Sequence, residues 1–145
     1  MREKRRRGFT LFEAVVSLAV LSMLVYICST SLLKMAPKYA LERAAWEVRS
    51  AMNAARYRAL FEGETYRVRF TESAYETERY DESQKKWALA GRASLEKVRV
   101  QANNAPVFTP DGTVTGLATI SISNAWGEYH LTLAITGRIK TTRIR

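Results

Sequence analysis

Glu13 is the residue whose type and place ask most of the rest of the chain. It heads a run, Ala14 to Leu33, that contains no charged side chain. A carboxylate within such a run costs about 2.5–3.5 kcal/mol at the centre of a membrane helix and less near its end, so it calls for a cation. The other candidates for chemistry are weaker. His130 is the single histidine; with no second histidine and no thiolate nearby in sequence, it reads as a surface strand residue rather than a general base or metal ligand. Glu72, Glu76, Glu78, Asp81 and Glu82, interrupted by Arg79, offer oxygen atoms to calcium, but their spacing matches no calcium loop, and a solvated hairpin face is expected instead. Arg138, Lys140, Arg143 and Arg145 put four cations and no acid into the last eight residues. Two readings of that tail stand side by side: an edge strand kept soluble by cations, or a contact to the phosphate backbone of DNA. On a continuing strand Arg138 and Lys140 share one face, and Arg143 and Arg145 the other. No phosphate-binding glycine loop, Gly-x-Ser-x-Gly elbow or His-Glu-x-x-His motif occurs, so the expectation is a protein that is not an enzyme, with no cofactor and no metal.

The element that positions Glu13 is a helix. From Ala14 to Leu33 the apolar run spans roughly 30 Å at 1.5 Å per residue, the thickness of a bilayer core. Arg2, Lys4, Arg5, Arg6 and Arg7 crowd the side before it. Cationic flanks stay cytoplasmic, which places the remainder of the chain across the membrane. A secretory signal peptide has a shorter apolar core and a small-x-small cleavage site, and neither fits here. A lipoprotein signal wants small residues before its cysteine, whereas Cys28 follows Tyr26 and Ile27. As the only cysteine, Cys28 excludes an intrachain disulfide and reads as a small hydrophobe in the span. A plain single-pass anchor accounts for the span and its basic flank, but not for the motif at its head.

That motif, Gly8-Phe9-Thr10-Leu11-Phe12-Glu13 followed by Ala14-Val15-Val16-Ser17-Leu18, resembles the class III signal of type IV pilins and type II secretion pseudopilins. The resemblance implies cleavage after Gly8 by a prepilin peptidase and N-methylation of the new Phe9 amine. It also implies a place for the missing cation. Phe9 and Glu13 are one helical turn apart, and in the family this carboxylate pairs with the N-terminal amine of a neighbouring subunit, setting the stagger of a filament. A dry pair of this kind adds little net stability, yet breaking it strands a charge, so it serves register.

Beyond the span the period stays helical. Leu41, Ala45, Val48, Met52, Ala55 and Ala59 recur at spacings of four and three and form one apolar stripe. Glu42, Arg43, Glu47, Arg49, Asn53 and Arg56 fill the solvated face, with Arg43 and Glu47 able to pair across one turn. Pro37 is expected to kink the helix or begin a new one, and Gly63 to cap its end. From Glu64 the period becomes two. Tyr66, Val68 and Phe70 mark a strand, Tyr75 to Tyr80 and Trp87 to Leu89 a hairpin, and Leu95, Val98 and Val100 another strand. Pro110-Asp111-Gly112 is a turn, and paired strands follow around Ile120 and Leu131, with a last one after Gly137.

This half adds to the likeness. Phe108-Thr109-Pro110-Asp111-Gly112 and, nearer the end, Thr136-Gly137-Arg138-Ile139-Lys140 resemble the last part of H-type minor pseudopilins and T-type fimbrial minor pilins. Gly137-Arg138-Ile139-Lys140 is similar to a Gly-Arg-x-basic element of T-type minor pilins connected with DNA uptake, with lysine in place of the second arginine and hence without its bidentate fork.

The expectation is therefore an α+β, pilin-like chain: a long N-terminal helix, membrane-spanning in its first half, packed against an antiparallel sheet or small two-sheet domain. Residues 1–8 form the leader, 9–35 the membrane and filament-core helix, and 36–145 the globular domain. Of the formal charge of +9, the leader carries a net +4, which leaves the mature chain a basic +5 and favours acidic partners or anionic surfaces. The resemblance implies as partners other pilin or pseudopilin subunits, the prepilin peptidase and an inner-membrane assembly platform, in a secretion pseudopilus or, alternatively, in a pilus for DNA uptake or twitching.

Overall fold

In the computed structural model residues 10–144 are described, residues 30–33 by their backbone alone. The chain divides into two compact units, Met1–Ala36 and Pro37–Arg145. One helix, α1 (Leu11–Glu62), runs through the boundary with Pro37 inside it, so the proline does not start a new helix. A proline inside a helix loses a backbone hydrogen bond and crowds the carbonyl one turn before it, which together cost about 3 kcal/mol. On the C-terminal side that cost is opposed by the stripe Leu41, Ala44, Ala45, Val48, Met52, Ala55 and Ala59, every member of which is buried.

In the first unit the side chains described are largely exposed. Ser17, Ser22 and Ser29 turn their hydroxyls onto the helix's own carbonyls, of Glu13, Ala19 and Val25, at 2.7–2.8 Å. That leaves an apolar exterior, and Leu11–Ser29 is long and apolar enough to cross a membrane.

In the second unit the helix stripe packs on two antiparallel sheets. The first has five strands, in the order β3 (Lys86–Ser94), β2 (Ala74–Asp81), β1 (Tyr66–Thr71), β5 (Val107–Phe108), β6 (Val114–Thr115). The second has four, β4 (Arg99–Ala102), β7 (Thr119–Asn124), β8 (Gly127–Leu133), β9 (Ile139–Ile144). The chain leaves the first sheet after β3, makes one strand of the second, returns for β5 and β6, and finishes in the second. Val68, Phe108, Val114, Val100, Ile120, Ile122, Leu131 and Leu133 meet the helix in one core. Alternation decides which residues face it: in β7 and β8 Ile120, Ile122, Leu131 and Leu133 are buried while their neighbours are not.

Three turns set this arrangement. The helix ends at Glu62, and Gly63 (φ +70°) donates its amide to the Ala59 carbonyl at 3.2 Å, the left-handed cap expected of it. In the turn after β5, Asp111 accepts from the Thr113 amide at 3.1 Å and from the Thr109 hydroxyl, which lets Phe108 pair with Val114. The strand expected over Leu95, Val98 and Val100 is shorter and later than that. Lys97 lies at φ +60° and bends the backbone, so Leu95 is buried ahead of the bend and only Arg99–Ala102 pair as a strand.

Candidate functional site

At the head of α1 the Thr10 hydroxyl accepts the Glu13 amide at 3.2 Å. This makes Thr10 the N-cap and Glu13 the third helical residue, the spacing of a capping box, and an anion there is favoured by the helix dipole. Thr-x-x-Glu ahead of an apolar run is the sequence signal that finds this cap. The Glu13 side chain is exposed, and the ion pairs formed by the described residues all lie between Lys38 and His130. Among those residues, then, its own chain gives it no cation. Gly8 and Phe9, where processing is expected, lie outside the described residues, as does Arg145.

The basic tail is folded into the four-stranded sheet as its edge strand. Arg138 stands in the turn before β9, so it is not a strand partner of Lys140. The register sets Lys140 opposite Thr132 and Arg143 opposite Tyr129. Tyr129 packs against the core while Thr132 is exposed, which puts Lys140 and Arg143 on opposite faces of the strand. Arg143 lays its guanidinium 3.9 Å from the centre of the Trp126 ring, and the Lys38 ammonium lies 5.6 Å from the same ring. Of the described tail cations, Lys140 and Arg143 thus do not share a face; what the fold gathers is Lys38, Trp126 and Arg143.

The remaining candidates pair locally. His130 Nε2 lies 2.8 Å from Glu128 Oε1. The Ser121 hydroxyl, before His130, holds the Glu128 carboxyl below the usual carboxylate range by donating to it. In the acidic run, Glu78 is 7 % exposed and is not part of a solvated face. It accepts from Arg67 Nε at 2.7 Å and lies 3.4 Å from Arg69, while Glu76 meets Arg69 at 2.9 Å and Arg92 at 3.7 Å. Trp87 covers Arg67, its ring centre 4.2 Å from the guanidinium. Register brings these groups together, since Arg67 stands opposite Glu78, and Arg69 opposite Glu76.

Residues 4–25 match the prokaryotic N-terminal methylation motif. No curated protein matches the sequence. Among solved structures, the chain is similar to the minor pseudopilin EpsH from the type 2 secretion system of Vibrio cholerae, with a TM-score of 0.61 at 14% identity over 71% of this chain and 96% of that one. It is also similar to the type IV minor pilin FimU of Pseudomonas aeruginosa, with a TM-score of 0.59 at 17% identity over 72% of this chain and 90% of that one. Signal and fold are both pilin-like. At such identities the structural likeness carries the fold of this pilin-like chain, and it bears out the long helix and antiparallel sheets read from the periodicity. The matched motif spans Gly8, Phe9 and Glu13.

Proposed function

We propose that this chain is a minor pseudopilin of the H type, a low-copy subunit near the tip of a type II secretion pseudopilus. It would enter the inner membrane as a single-pass protein, N-terminus cytoplasmic and globular domain on the far side, be cut after Gly8 by a prepilin peptidase, and be methylated on Phe9. From an inner-membrane assembly platform it would pass into the filament, its apolar residues trading lipid for the helices of neighbouring subunits. Glu13 would then pair with the N-terminal amine of a neighbour, and no catalytic step belongs to the chain. One observation carries this reading: a methylation motif at residues 4–25 and a domain with the fold seen in EpsH occur in the same chain.

A second reading is favoured by the nearly equal likeness to FimU. In it the chain is a minor type IV pilin of a twitching or DNA-uptake pilus, and Arg138, Lys140, Arg143 and Arg145 are its DNA contacts. Intact mass from cells with and without the prepilin peptidase tests what both readings share: loss of residues 1–8 with one added methyl, only when the peptidase is present. An uncut chain in both strains overturns both. Deleting the gene then separates them, because a secretion subunit leaves exoproteins behind in the periplasm and a pilus subunit leaves cells without pili or transformation.

A further inference from the structure

The Lys38–Trp126–Arg143 stack lies where the chain enters the second unit. Asn124, the last residue of β7 ahead of the turn that carries Trp126, donates from Nδ2 to the Pro37 carbonyl at 2.7 Å and accepts the Trp126 amide at 2.9 Å. Pro37 is the first residue of that unit, so the turn and its indole are fastened to it. Trp126 rests partly against the core; Arg143 and Lys38 approach its ring from an edge strand and from the helix. Of the two cations, Lys38 alone has an acidic neighbour among the described residues, Glu42, at the limiting distance of 4.0 Å. Arg143 is exposed and has no carboxylate within ion-pair distance among the described residues. In sequence, Lys38 follows Lys34, the first charge after the uncharged run, by four residues or one helical turn.

An amphipathic indole flanked by long cationic side chains is the composition found at the membrane–water interface, and in sequence Lys38 comes five residues after Leu33, the end of the uncharged run. We propose that Lys38, Trp126 and Arg143 form a docking surface for the headgroups of anionic phospholipid, which holds the globular domain at the bilayer surface while the subunit waits for assembly. The inference rests on the membrane-anchored reading of the helix. Each cation near an anionic surface strengthens attachment about fivefold, so losing two should weaken it roughly 25-fold. DNA phosphates also attract cations, but the position of the stack beside Pro37 favours lipid.

The test uses the full chain in vesicles of phosphatidylglycerol or of phosphatidylcholine, each carrying a headgroup nitroxide lipid. One variant keeps Trp126 as its only indole (W46F with W87F). A companion keeps Trp87, which stands by Arg67 at the start of β1, where Tyr66 meets Glu62 at the far end of the helix. Trp126 should be quenched several-fold more than Trp87 in phosphatidylglycerol. The excess should disappear in phosphatidylcholine, in about 0.5 M salt, and in K38Q with R143Q, while R143K keeps it; circular dichroism establishes that each variant is folded. A chain that floats with the vesicles yet shows equal quenching of the two indoles, or quenching independent of lipid charge, overturns the docking surface alone. A chain that does not float overturns the anchor reading and the docking surface with it. Quenching indifferent to lipid charge, together with a shift of Trp126 emission on adding duplex DNA, assigns the patch to nucleic acid and overturns the proposal.

Discussion

The two sheets of the domain treat cations differently. In the five-stranded sheet Arg67, Arg69, Arg79 and Arg92 each reach a carboxylate, and the network closes over Glu78. In the four-stranded sheet the strands hold a single acid, Glu128, and its described partners are Ser121 and His130 rather than arginine. There Arg143 rests on an indole, and no described carboxylate lies within ion-pair distance of Lys140. The same residue type therefore does two jobs. Cations neutralised by register pairs stabilise a sheet and project little field, whereas cations held by aromatic packing keep their charge available to an outside anion. On the docking proposal above, Arg143 is the cation of the four-stranded sheet left free to meet an outside anion.

The largest effect that could break this contrast is expected from Glu78→Ala. Removing a nearly buried carboxylate strands Arg67, whose side chain is only 24% exposed, and the loss should be about 2–3 kcal/mol in urea unfolding. A loss below about 0.5 kcal/mol would place the network with ordinary surface pairs and erase the distinction. Next comes Gly137→Ala, just ahead of the basic strand. Gly137 sits at φ +77°, and a Cβ there would stand 2.6 Å from Arg56 Cζ, so about 1–2 kcal/mol should be lost, chiefly from the backbone conformation because the arginine end can move. Arg143→Ala should cost less, about 0.5–1 kcal/mol, the worth of an exposed cation–π contact. If Arg143→Ala destabilised as much as Glu78→Ala, Arg143 would be a structural strut and not a cation held ready.

What was legible in the sequence follows the range of the interaction behind it. The helix stripe from Leu41 to Ala59 and the alternations at Tyr66–Phe70 and Ile120–Ile122 are local periods, and burial follows them residue by residue. Glu13 stood out because its chemistry conflicts with its neighbours. Glu78 did not, because its burial depends on the cross-strand register that sets Arg67 opposite it and on the place of β2 between β1 and β3. The helical period puts Arg56 on the solvated face, yet it packs under Gly137 with its Nε buried and without a hydrogen-bond partner among the described residues; nothing within four residues of Arg56 announces that approach. The Asn124 bond to Pro37 spans 87 residues and leaves no local signature either.

The smallest expected effect concerns the exception within the four-stranded sheet. Hydrogen bonds from Ser121 and then His130 hold the Glu128 carboxyl below the usual carboxylate range. A group whose pKa is depressed by folding favours the folded chain where the unfolded chain's carboxyl is already ionised, and that contribution is lost as the pH falls through the usual range toward the depressed value. Glu128→Gln should therefore be slightly less stable than the parent at neutral pH, and the gap should narrow on acidification. Unfolding midpoints of both proteins from neutral to strongly acid pH measure it. A gap that is absent at neutral pH, or that widens on acidification, would mean the carboxylate is not the acceptor. The sheet would then lack its one internally satisfied charge, and the contrast with its neighbour would be sharper still.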